Sequence, residues 1–169
     1  MKNIVLTGFM GTGKTAVGRE LSRILNMKLI DIDAEIEKAE GMTIPDIFRE
    51  LGEPRFREIE TEVVRKIAAV SHHVISAGGG VVLKDLNMEL LRGNGLIFCL
   101  TATPGTILKR TGGSDNRPLM NTEDRLEKII GLLETRKPFY ERAGIMIDTE
   151  DKTPLQVAGE IAGIYRADA

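Results

Sequence analysis

The densest chemistry in the chain lies close to its start. Gly8-Phe9-Met10-Gly11-Thr12-Gly13-Lys14-Thr15 matches the pattern GxxxxGK[ST] in full. It follows a short apolar run, Ile4 to Leu6, and precedes a stretch of helical period, which is the context this motif needs. Each residue type has a reason. Glycines let the backbone wrap so that its N–H groups converge on phosphate oxygens. The N-terminus of the following helix adds its dipole. A lysine reaches the β- and γ-phosphates, and a threonine hydroxyl is a magnesium ligand. The expected ATP-binding residues are therefore Gly11, Thr12, Gly13, Lys14, Thr15 and Ala16.

A second set of residues suits an acceptor. Asp31 and Asp33 follow the second apolar run. If that strand persisted, alternation would put both carboxylates on one side. One could help hold hydrated magnesium, and the other could orient or deprotonate an acceptor hydroxyl. The competing reading makes Asp33 the N-cap of a helix beginning at Ala34. Arg57, in a helix beginning near Glu53-Pro54, has Glu53 and Glu60 at helical spacing, which equally describes a solvated ion-paired face. Arg136 precedes Lys137-Pro138 and could simply complement a helix dipole. Gly78-Gly79-Gly80 is either a turn or a place where a substrate touches backbone. The stretch 111–121, with Arg117 inside it, is glycine-rich and polar, as functional loops often are.

These residues need a frame. Five short apolar runs recur, at Ile4–Leu6, Leu29–Ile30, Val74–Ala77, Leu96–Leu100 and Ile145–Ile147, most of them continuous. Continuous runs mark strands covered on both faces. Between them lie helical stripes: Val17, Leu21, Ile24, Leu25; Phe56, Ile59, Val63, Ile67; Leu126, Ile129, Ile130, Leu133; and Leu155 to Tyr165. The alternation predicts an α/β fold with a parallel sheet, whose strand C-terminal ends form the ligand edge. The length of 169 residues fits one domain.

Composition removes other classes. A net charge of -2 and 4% aromatics leave no basic field or stacking platform for nucleic acid. The single cysteine, Cys99, permits no internal disulfide and reads as a core strand residue. His72 and His73 are adjacent and make a poor metal pair. No run is long enough for a bilayer and the N-terminus does not read as a signal peptide, so a cytoplasmic location is expected. The sequence has no Asp-x-x-Gly switch and no Asn/Thr-Lys-x-Asp guanine reader, and no acid ends its third strand. A small kinase is the leading class.

Taken in order, Gly8 to Thr15, Asp31-Ile32-Asp33, Phe56 to Glu60, Gly78-Gly79-Gly80, Arg117-Pro118-Leu119 and Arg136 to Tyr140 resemble the shikimate kinases over essentially the whole chain. The resemblance implies a P-loop kinase fold with a five-stranded parallel sheet in the order 2-3-1-4-5, a lid at about 111–121 and acceptor-binding helices at about 33–62. It implies transfer of the γ-phosphoryl of ATP to the 3-hydroxyl of shikimate, with magnesium as cofactor. A monomer is expected. By matching positions, Lys14 and Arg117 would stabilise the transferring phosphoryl, and Thr15, with Asp31 through water, would hold magnesium. Asp33 would bind the acceptor hydroxyls and could be the base. Arg57 and Arg136 would grip the acceptor carboxylate, with Glu60 orienting Arg57 and Gly79 and Gly80 completing the pocket. Arg110 would stack on adenine. The rivals are another small-molecule kinase, such as one for gluconate, and a nucleotide-binding module without turnover.

Overall fold

In the computed structural model, residues 2–112 and 125–168 are described. Arg117 and most of the expected lid lie outside them. Five strands form one parallel sheet in the order β2-β3-β1-β4-β5, as the resemblance implies. They are β1 (Asn3–Gly8), β2 (Lys28–Asp31), β3 (His73–Ser76), β4 (Gly95–Thr101) and β5 (Ile145–Asp148). β1 is central, pairing Ile4 with Val74 on one side and with Leu96 on the other. Every residue of β1 is buried, which explains its unbroken apolar pattern. Ile4 and Leu6 face a cluster with Val17 and Leu21 on one side of the sheet. Val5 faces the other, among Ile36, Ile59, Ile75 and Cys99. Removing such a side chain from water is worth about 1.5–3 kcal/mol.

Seven helices are described around the sheet: α1 (Lys14–Leu25), α2 (Ile32–Glu40), α3 (Ile44–Ala68), α4 (Asp85–Gly93), α5 (Pro104–Thr111), α6 (Arg125–Glu141) and α7 (Pro154–Asp168). Two, α4 and α5, were not anticipated from the pattern. Each is only two to three turns long, too short for a stripe to stand out, although Thr103-Pro104 is a readable start: the Thr103 hydroxyl accepts from Thr106 N–H.

Three expectations need correction. β2 stops at Asp31 and the next helix starts at Ile32, so the two aspartates do not share a strand face. The cap of that helix is Asp31, which accepts from Asp33 N–H and Ala34 N–H; the capping role considered for Asp33 belongs to its neighbour. α6 runs through Pro138 to Glu141, which puts Arg136 inside the helix and buries it to 5% exposure, not in a terminal position facing water. The helix expected from Glu53-Pro54 is the second half of α3. Gly52 breaks the helical backbone there with φ 78° and ψ 164°, a conformation that favours glycine.

Candidate active site

The phosphate loop joins the end of β1 to α1 at the sheet edge where all strand C-termini emerge. Gly13 caps α1 in the left-handed conformation at φ 94°, and no side chain caps the helix. By contrast, Asp31 caps α2 and Thr43 caps α3. The first N–H groups of α1 are thus left for a ligand, and an anionic one suits both these donors and the dipole. Lys14 Nζ donates to the carbonyls of Gly8 and Phe9 at 2.8 and 2.9 Å, holding the cation over the loop. Thr12 secures the loop from inside, its hydroxyl donating to Phe9 O at 2.7 Å.

A cavity of about 230 Å³ opens beside this loop, lined by Gly11, Gly13, Lys14, Thr15 and Ala16 and by both aspartates, Gly78, Gly79 and Arg110. Asp31 and Asp33 do converge, through a strand end and a first helical turn instead of one strand face. Asp31 uses Oδ1 for the helix cap while Oδ2 receives the Thr15 hydroxyl at 3.3 Å. Thr15 and Asp31 therefore present hard oxygen atoms side by side, the donor set magnesium prefers.

On the far side of the aspartates the site is made of side chains. Arg57 Nη1 donates to both oxygens of Glu60 at 3.0 and 3.1 Å, and Nη2 to Glu53 at 3.2 Å. The ion pairs expected from spacing are present, but their setting is not a solvated face. The Arg57 side chain is 18% exposed and that of Glu60 1%. Burial pushes the Glu60 carboxyl up to about 7, against the opposing pull of Arg57. The guanidinium lies against Gly80 so closely that any Cβ there would collide with it. Gly78 is similarly close to Asp33, whose Oδ1 would stand 2.8 Å from a Cβ. The triple glycine is thus a backbone surface against which Arg57 and Asp33 rest, and not merely a turn.

Arg136 enters the same region from α6. It stands over the Phe9 ring at 5.9 Å and its positive charge is felt at Glu60. Tyr140, one helical turn later, donates its hydroxyl to Gly79 O at 2.7 Å and lies within the field of the Arg136 charge. Its burial pushes the phenol up to about 12, so it stays a neutral donor. Sequence reasoning assigned Tyr140 no role; its spacing of four from Arg136 on one helix was the available signal.

Arg110 lies at the other end of the cavity. It donates to the hydroxyl and carbonyl of Thr149 at 3.1 and 3.2 Å and to Gly11 O at 3.4 Å. This joins α5, the loop after β5 and the phosphate loop. Glu150 reinforces the junction by accepting from Thr103 N–H and from the Thr106 hydroxyl. Nothing in the residue pattern marked Glu150, because both of its partners are more than 40 positions away.

The site can be compared with known proteins. The family model described as shikimate kinase matches residues 10–165. A shikimate kinase of Thermodesulfovibrio yellowstonii is 49% identical over 165 residues, covering 98% of this chain and 95% of the other. One from Caldicellulosiruptor bescii is 48% identical over 167 residues, covering 99% and 97%. Among solved structures, shikimate kinase from Acinetobacter baumannii in complex with shikimate superposes with a TM-score of 0.95 at 35% identity, covering 99% of this chain and 94% of that one.

Proposed function

The chain belongs to the shikimate kinase family, and on that premise we propose how its residues divide the transfer of the γ-phosphoryl of ATP to the 3-hydroxyl of shikimate. Family membership sets aside a gluconate-type acceptor. The loop from Gly11 to Ala16 binds the phosphate chain through its N–H groups and the uncapped start of α1. Lys14 exchanges its bonds to Gly8 and Phe9 carbonyls for phosphate oxygens, and its charge counts most as charge shifts in the transition state. Arg117 adds a second cation from the glycine-rich segment. Arg110, held by Thr149, would stack on the adenine base.

Thr15 and Asp31 suit magnesium, the threonine directly and the aspartate through water. Bound there, the ion would neutralise phosphate charge. Asp33 lines the cavity next to Gly78, and holds the acceptor hydroxyl in line for attack, taking its proton as the bond to phosphorus forms. Phosphoryl transfer asks mainly for such positioning and for positive charge.

The observation that carries the acceptor assignment is a pair of largely enclosed arginines on separate helices, Arg57 held by Glu60 and Arg136 only 5% exposed, both acting on the Glu60 carboxyl. Two planar forks converging on one pocket suit a carboxylate. The test is ADP release with shikimate, with its neutral amide and with neither. Shikimate should drive turnover and the amide should be a poor acceptor. Equal use of the two would remove the carboxylate reading.

A further inference from the structure

The acceptor pocket has an electrostatic problem that the arginine pair alone does not solve. The charged groups facing Glu60 are Arg57, on its own helix α3, Asp33 from α2 and Arg136 from α6. Glu53 also touches Arg57, but from the exposed side. Tyr140 on α6 faces Arg136 as a neutral phenol. With Asp33 and Glu60 ionised, two negative charges already balance the two arginines. An acceptor carboxylate would make a third negative charge in a space where Glu60 is 1% exposed and Arg136 5%. A like charge brought close in a poorly solvated place strongly disfavours ionisation of its neighbour.

We propose that Glu60 takes up a proton from solvent when the acceptor carboxylate settles between Arg57 and Arg136, so that the filled pocket stays near neutrality. This rests on the reading of the two arginines as the carboxylate grip. Geometry singles out Glu60 among the candidates. Both its oxygens are held by one nitrogen of Arg57, so the arriving carboxylate competes with Glu60 for the same guanidinium. Protonated, Glu60 still offers a carbonyl oxygen to that nitrogen and keeps Arg57 in place. In the free protein its carboxyl titrates near 7, so the proton is within easy reach at ordinary pH. The same proton makes acceptor binding pH-dependent. Affinity should be highest where Glu60 is already protonated, and should weaken as pH rises from the free titration point toward that of the complex, by up to about tenfold per pH unit.

The experiment is titration calorimetry of shikimate into the unaltered enzyme near pH 7.5, in buffers of different ionisation enthalpy, which counts protons taken up per acceptor bound. Shikimate's own carboxyl titrates near the ordinary carboxylate range of roughly 4 and contributes none there. The expected result is uptake of a substantial fraction of one proton with shikimate and none with its amide. The uptake should disappear in Glu60→Gln, which keeps an oxygen for Arg57 but cannot gain a proton, and persist in Asp33→Asn. No uptake with shikimate, while the amide still binds more weakly, overturns the proposal and leaves the grip standing. Uptake that survives Glu60→Gln but vanishes in Asp33→Asn places the proton on Asp33 and overturns it too. An amide that binds as tightly as shikimate overturns the grip itself, and the proposal with it. Should Glu60→Gln fail to fold, the proton count on the unaltered enzyme decides alone.

Discussion

The proposed phosphate and acceptor sides meet at Asp33 and the triple glycine and are built on opposite principles. The phosphate side is backbone. Its donors are main-chain N–H groups fixed by the turn from β1 into α1, with Lys14 folded back on two carbonyls of the same loop. The acceptor side is side chain. Arg57, Glu60, Asp33, Arg136 and Tyr140 arrive from three helices and lean on glycines that follow a strand. A phosphate chain is common to many reactions and can be read by a local, reusable surface. A particular small acid needs charges placed at chosen distances, which only distant elements can supply together.

The largest effect should come from the phosphate side. Lys14→Ala removes a charge that strengthens in the transition state, and turnover should fall by about a hundredfold or more while the circular dichroism spectrum is kept. A folded variant with near-normal turnover would break the division. On the acceptor side, Arg57→Lys keeps the charge but loses the fork. Bonds to charged groups are worth about 1.5–3 kcal/mol, so the KM for shikimate should rise roughly 10- to 150-fold with the KM for ATP unmoved. A matching rise for both substrates would mean that the two sides are one unit. Tyr140→Phe removes one neutral hydrogen bond, to Gly79 O. A loss of about 1 kcal/mol predicts a shikimate KM raised about fivefold.

The smallest effect is on stability. The folded Glu60 carboxyl titrates near 7, above its ordinary value of 4.5. Its protonated form therefore fits the fold better, and its favourable contribution is complete below about 4.5 and lost as pH rises through 7. Thermal melts of Glu60→Gln against the parent should shift in the variant's favour between pH 5 and pH 8. A difference that does not change with pH would mean that Glu60 stays ionised throughout.

This contrast also explains what was legible. The phosphate loop could be read in full because its geometry is local and its glycines are required one by one. Strand order and the roles of the arginines were legible only through family resemblance. The aspartates were harder: both were identified, but their local setting was not, since whether a strand continues past Ile30 or yields to a helix at Ile32 is decided by tertiary packing of Ile32 and Ile36 into the core. Arg57 with Glu53 and Glu60 shows the limit of spacing, which finds the pairs and is silent on burial. Burial comes from what covers α3, including Gly80, α2 and α4, and turns what spacing reads as a surface triad into a largely enclosed pair. The Glu150 junction had no local signature at all.

The central place of β1 bears on how the protein comes to exist. Its neighbours in the sheet are β3, beginning at His73, and β4, ending at Thr101. The helix that follows it packs against α7, where Val17 and Leu21 meet Val157, Ala158 and Ile161. Tyr165 even donates to Lys2 O at 2.7 Å. The nucleotide loop thus precedes β3, β4 and α7 along the chain and gains its full support only when they have docked. Pairings this distant along the chain fold slowly, and until the last helix docks the loop lacks the frame that gives it shape. During folding, then, the capacity to hold ATP should arrive late and all at once, together with the docking of α7.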